Sequence, residues 1–133
     1  MPFVLDASIV ITWAIRDEEY PLADVAFERI QNDSAVVPAI WWYEVRNSLL
    51  GNERRNRITR EDVAQFLSVL SAFDIEVRPP ERNTESLELA REHRLSVYDA
   101  AYLVLSLERQ MPLATLNEAL LRAAESCQVP LLA

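Results

Sequence analysis

Short apolar runs of strand character alternate with stretches of helical periodicity along the whole chain, and this alternation constrains the fold most. The runs are Phe3–Leu5, Ala35–Val37, Ile75–Val77, Leu113–Thr115 and Leu131–Leu132. Pro21 opens a helix to about Gln31, with Leu22, Val25, Ala26, Phe27 and Ile30 facing inward. Pro38 precedes a helix through about Leu50. Thr59 reads as an N-cap with Asp62 three residues on, before Val63, Phe66, Leu67 and Leu70 at helical spacing. Thr84–Arg94, Ser96–Arg109 and Asn117–Cys127 read as three more helices. Strands that take turns with helices are joined by crossovers, so the expected fold is an α/β domain with a mainly parallel sheet of four to five strands. At 133 residues, one domain spanning 1–133 is expected.

Composition removes several chemistries. All 13 basic residues are Arg, so every mechanism that needs a lysine is excluded: Schiff bases, the P-loop, and phosphoacceptor receiver domains. Gly51 is the only glycine, so no Gly-rich loop cradles a phosphate or dinucleotide. Cys127 is the only cysteine, which forbids an intrachain disulfide and fits a reducing cytoplasm. No apolar run approaches the ~20 residues of a membrane span, and the N-terminus lacks the basic region of a signal peptide. The net charge of −8 opposes long-range attraction of nucleic acid by the molecule as a whole. A local basic cluster is still able to meet phosphates. Asn52–Arg60 is the one strongly polar bridge. It reads as a solvated turn, or, through Arg54, Arg55 and Arg57, as a basic rim for an RNA backbone.

Four polar groups sit in apolar sequence at the tops of strands or near the starts of helices. Asp6 ends the first run in Val4-Leu5-Asp6-Ala7-Ser8. Glu44 lies in Trp41-Trp42-Tyr43-Glu44-Val45, Asp99 in Val97-Tyr98-Asp99-Ala100, and Asn117 in Thr115-Leu116-Asn117-Glu118. A charge between buried segments is costly unless something pairs with it. The carboxyl ends of parallel strands form the edge where ligands bind, so the four are placed to converge. Converging carboxylates repel, and hard oxygen ligands suit Mg²⁺ or Mn²⁺. That combination suggests metal-dependent phosphodiester hydrolysis. Each residue also has a plainer role. Asp6 is able to cap a helix starting near Ala7, Asp99 to form a capping box with Ser96, Asn117 to cap the last helix, and Glu44 to reach water from its helix edge.

Taken in order, these segments resemble the PIN domain, specifically a VapC-type toxin ribonuclease. The carriers are Val4-Leu5-Asp6-Ala7-Ser8, Glu44 with Val45-Arg46-Asn47-Ser48-Leu49, Tyr98-Asp99-Ala100-Ala101-Tyr102, and Leu113-Ala114-Thr115-Leu116-Asn117. The resemblance spans nearly the whole chain. It implies a Rossmann-like α/β/α sandwich, an endoribonuclease dependent on Mg²⁺ or Mn²⁺, and products with 3′-hydroxyl and 5′-phosphate ends. It also implies a homodimer and a cognate VapB-type antitoxin that blocks the acidic site. Asp6, Glu44 and Asp99 are the implied metal ligands, with Ser8 and Thr115 as supporting hydroxyls. The chain departs from the family at Asn117, where an acid is usual. The expectation is therefore a three-carboxylate site with a weakened or absent second metal.

Rival readings follow from particular residues. A two-histidine ribonuclease fails because His93 is alone. A metal-free site would have to use Glu44, Arg46 and His93, and His93 reads more simply as an exposed residue in the last turn of a helix. A PIN-like interaction module that has lost catalysis is the non-enzymatic alternative. A HAD-type phosphatase is disfavoured because Ser8 stands where that chemistry wants a second Asp. At least two of Trp13, Trp41 and Trp42 are expected in core or dimer packing rather than as base-stacking platforms.

Overall fold

In the computed structural model, which describes residues Met1–Ala133, β1 (Phe3–Leu5) runs into α1 (Ala7–Ala14) with only Asp6 between them. α2 (Pro21–Ile30) precedes β2 (Ala35–Pro38), which passes directly into α3 (Ala39–Arg54). Then come α4 (Arg60–Ser71), β3 (Ile75–Arg78), α5 (Glu85–His93), α6 (Val97–Arg109), β4 (Leu113–Ala114) and α7 (Glu118–Ser126). The strands pair in the order β3-β2-β1-β4, and every pairing is parallel. Helices flank this sheet, as the alternation of runs predicts. β1 and β2 are buried throughout, whereas the edge strand β3 leaves Glu76 and Val77 exposed.

Two boundaries differ from the sequence reading. Leu131–Leu132 forms an isolated parallel bridge to Leu113 and no fifth strand. Leu132 donates to Leu113 O at 2.9 Å, but Pro130 has no N–H to lengthen the ladder. α3 runs past Leu50 to Arg54, because Gly51 alone does not break a helix already anchored by packing. Asn52 is buried inside it and donates to Ser48 O at 2.9 Å. The polar bridge is therefore a shorter turn, and Arg54 belongs to the helix.

The core is built on the central strands. Phe3, Val4, Leu5, Val37, Leu49, Tyr102, Leu103 and Leu113 are fully buried within one contiguous cluster. Trp13, Phe27 and Phe73 pack edge to face at 5.3–6.4 Å and tie α1, α2 and the end of α4 together. Trp13 and Trp41 are core residues, as expected; Trp42 is exposed, with Arg46 stacked 3.6 Å over its ring. The apolar faces of α2 and α4 pack on the core as well. Thr59 and Asp62 form the full reciprocal capping box that their spacing predicts.

Scarcity of glycine leaves a mark on the helix ends. Asn56, Arg94, Gln110 and Gln128 all take left-handed backbone conformations at φ 53–60°. Glycine is the residue that adopts this conformation without cost; others lose roughly 1–2 kcal/mol. Gln110→Gly is expected to stabilise the fold by about 0.5–1 kcal/mol after the entropy cost of glycine. A urea midpoint at or below that of the unsubstituted chain would contradict this.

Candidate active site

The strand order decides where the acids meet. β1 lies between β2 and β4: the chain passes from β1 to β2 and β3 on one side, then crosses back through α5 and α6 to β4 on the other. Reversal of strand order opens a crevice at the carboxyl edge of a parallel sheet. Asp6 stands at that point. Its N–H donates to Ala114 O at 2.9 Å, prolonging the β1–β4 pairing by one residue before α1 begins. It is the N-cap residue of α1 by position, yet its carboxylate makes no capping bond. Asp6 Oδ2 instead accepts from Thr115 Oγ1 at 2.6 Å and Ser8 Oγ at 2.7 Å. Those hydroxyls are held in turn: Leu116 N–H donates to Ser8 Oγ and Asn117 N–H to Thr115 Oγ1, both at 3.0 Å. Ser8 and Thr115 thus both donate to the Asp6 carboxylate and are themselves held by backbone N–H groups.

Glu44 reaches the same crevice from α3. Its Oε1 accepts from Tyr102 Oη at 2.6 Å, and its Oε2 has no protein donor. Tyr102 is fully buried and lies one turn beyond Asp99 on α6. In the sequence Tyr102 closes the segment Tyr98-Asp99-Ala100-Ala101-Tyr102 with no role of its own assigned. The available signal was a hydroxyl at i+3 from an acid in an otherwise apolar helix.

Asp99 lies in the first turn of α6, and its own N–H is capped by Ser96 Oγ at 3.0 Å. The return half of the capping box is not made. Asp99 Oδ2 accepts from Asn117 Nδ2 at 3.2 Å. The orientation of the Asn117 amide follows from its other bond, because Leu120 N–H donates to Asn117 Oδ1 at 3.1 Å. Asn117 therefore caps α7 with its oxygen and presents hydrogen-bond donors to Asp99. Its Oδ1 is engaged in that cap.

The electrostatics follow from burial and like charge. Burial pushes the Asp6 carboxyl above the usual range; the Thr115 and Ser8 hydrogen bonds pull back, and the Asp99 charge pushes further up. Glu44 is raised by burial first, lowered by the Tyr102 bond, and raised again by Asp6 and Asp99. The Tyr102 hydroxyl is held far above its ordinary value, so it acts as a neutral donor. Asp6 and Glu44 thus both feel the Asp99 charge. No three acidic, histidine or cysteine side chains stand close enough to form a ready-made metal cage.

A sign for stability follows. In the folded chain Asp6 and Glu44 hold protons to higher pH than in the unfolded chain. Between the two sets of pKa values the native state binds more protons, so stability falls as pH rises through that window. In EDTA, the urea midpoint is expected to be higher at mildly acidic pH than at neutral pH. Asp6→Asn should flatten the profile, and an unchanged profile in that variant would contradict the assignment.

Other expected site residues lie elsewhere. Arg54, Arg55 and Arg57 are exposed at the end of α3 and in the turn after it. Arg54 is ~15 Å along the helix axis from Glu44. His93 is half-buried rather than exposed, with Nε2 3.3 Å from Cys127 Sγ. Arg46 donates to Trp42 O at 3.0 Å. Glu44, Arg46 and His93 are each engaged with different partners and form no shared site.

The family model of the PIN domain matches residues 3–126. The chain belongs to the PIN-domain family. The crystal structure of PAE2754 from Pyrobaculum aerophilum is similar in fold to this PIN domain, with a TM-score of 0.70 and 25% sequence identity over 92% of this chain and 79% of that one. No curated protein matches it. No helix of this PIN domain is long and apolar enough to cross a membrane.

Proposed function

We propose that this PIN domain hydrolyses RNA phosphodiester bonds with a divalent cation, at a site of lowered metal affinity. What supports the reading is the placement of Asp6, Glu44 and Asp99 on three separate elements within electrostatic range, with Glu44 and Asp99 each fixed through one oxygen by a neutral donor. The donor chemistry fits Mg²⁺ or Mn²⁺, because these take hard carboxylate oxygens. Mg²⁺ commonly binds one or two carboxylates and keeps waters, so a preformed cage of three acids is not required. Asp6 and Asp99 would hold the cation most directly, with Glu44 beside them. When bound, it supplies charge neutralisation and Lewis acidity toward the phosphate. Glu44, oriented by Tyr102, positions the attacking water and takes its proton at Oε2. Water adds to phosphorus, the P–O3′ bond breaks, and the departing O3′ takes up a proton from solvent, leaving 3′-hydroxyl and 5′-phosphate ends. The biological reading is the toxin of a type II pair, cytoplasmic and homodimeric, opposed by a VapB-type antitoxin. Such an inhibitor would place an Arg or Lys against the acids.

Two observations favour a second reading, an interaction module whose catalysis has weakened or been lost. No three acids form a metal cage, and the Asn117 amide already supplies Asp99 with a neutralising donor. A single experiment separates the two. Purified protein is incubated with total RNA in EDTA, Mg²⁺ or Mn²⁺. Cleavage restricted to the metal lanes supports the nuclease. Undiminished cleavage in EDTA removes the metal mechanism, and calorimetric metal binding without cleavage under any condition supports the module.

A further inference from the structure

A second feature of charge lies outside the acidic crevice. A cleft of about 320 Å³ opens between the end of α5 and one face of α7, lined by His93, Arg94, Ala119, Arg122, Ala123 and Ser126. The α7 residues recur at i, i+3, i+4 and i+7, so they form one stripe ~10 Å long. Ala119, Ala123 and Ser126 are short, and Arg94 and Arg122 are the exposed basic residues of the cleft lining. Neither arginine makes an ion pair; the side-chain pairs in this chain are those of Arg78 and Arg109 with Glu76. Together they place two positive charges at one cleft in a chain of net charge −8. His93 is steadied there by Cys127.

One end of the cleft is close in sequence to the helix starts that carry Asp99 and Asn117. Arg94 lies just before Ser96, the N-cap of α6, and Ala119 just after Asn117, the N-cap of α7. The bond between Asn117 and Asp99 joins the two helix starts. We infer that the cleft holds the phosphodiester backbone of single-stranded RNA beside the cleavage site, with Arg94 and Arg122 as its phosphate contacts. A polyanion approaching clustered carboxylates needs a cationic track next to them, and guanidinium groups match phosphate oxygens in pairs. An acidic protein segment would meet the same arginines, but nothing would require it to bind beside the carboxylates. The inference rests on the nuclease reading, and Arg54, Arg55 and Arg57 are assigned no share in it.

The test is fluorescence anisotropy of a labelled single-stranded oligoribonucleotide in EDTA, where cleavage does not interfere, over a series of salt concentrations. Arg94→Gln/Arg122→Gln is expected to weaken binding about tenfold or more and to reduce the slope of log K against log salt by about 1.4, since each phosphate contact on a single strand contributes ~0.7. Arg54→Gln/Arg55→Gln/Arg57→Gln is expected to change affinity less than about twofold. Circular dichroism melts verify that both variants fold, and Arg94→Lys/Arg122→Lys should retain most of the salt slope. Wild-type affinity and slope in the glutamine pair would overturn the inference, as would absence of RNA binding by the unsubstituted chain. Displacement of the RNA by short poly-glutamate at equal charge concentration would reassign the cleft to an acidic protein segment. RNA binding that depends on Arg94 and Arg122 without cleavage in Mg²⁺ or Mn²⁺ would keep the cleft and remove the nuclease reading. Cleavage with unaltered binding in the glutamine pair would do the reverse.

Discussion

Asp6→Asn is expected to lower metal-dependent RNA cleavage by about 10²–10³-fold, the loss typical of removing one preorganised electrostatic group from an active site. The geometry should survive, because an amide fills nearly the same volume and its oxygen still accepts from Ser8 and Thr115. In EDTA the same variant should melt at a higher temperature than the unsubstituted chain. Asp6 is buried at 5% exposure, its charge is disfavoured by burial and by Asp99, and the substitution removes that cost. The opposed signs make the experiment informative. Loss of activity with a lower melting temperature would point to a structural role, and full activity would sink the metal-ligand assignment.

Asn117→Asp should act in the other direction on the metal. The side chain now donates to Asp99 and caps α7 through Leu120 N–H. Aspartate preserves the cap, since it is as good an N-cap residue as asparagine. It also replaces the donor facing Asp99 with a negative charge. Calorimetric titration with Mg²⁺ or Mn²⁺ is expected to show binding about tenfold tighter or more, equivalent to about 1.4 kcal/mol. In EDTA the variant should be less stable than the unsubstituted chain, because two carboxylates then face each other without a cation. An unchanged titration would show that Asn117 is not what limits metal affinity here.

Much of the frame was legible before the structure. Each strand-forming run except Leu131–Leu132 became a strand, and the capping box at Thr59 formed as its spacing predicts. Those features depend on local periodicity and hydrogen bonds within a few residues. The errors occurred where distant contacts took over. α3 extended through a polar stretch because Asn52 is buried, and Asp99 abandoned its capping box for Asn117, a residue 18 positions away.

The same division applies to the candidate site. Residue identity alone placed Asp6, Glu44 and Asp99 at the ends of strands and the starts of helices, and the absence of lysine and of any Gly-rich loop removed competing phosphate chemistries. Only the tertiary structure decided what each oxygen does. It gave one Asp6 oxygen to two hydroxyls and assigned Tyr102 to Glu44. It turned Asn117 so that it donates to Asp99, and it brought Arg94 and Arg122 to one cleft. The physical reason is range. Periodicity and capping act within a turn or two of chain, whereas the direction of a hydrogen bond and the convergence of charges depend on residues that only the sheet order brings together.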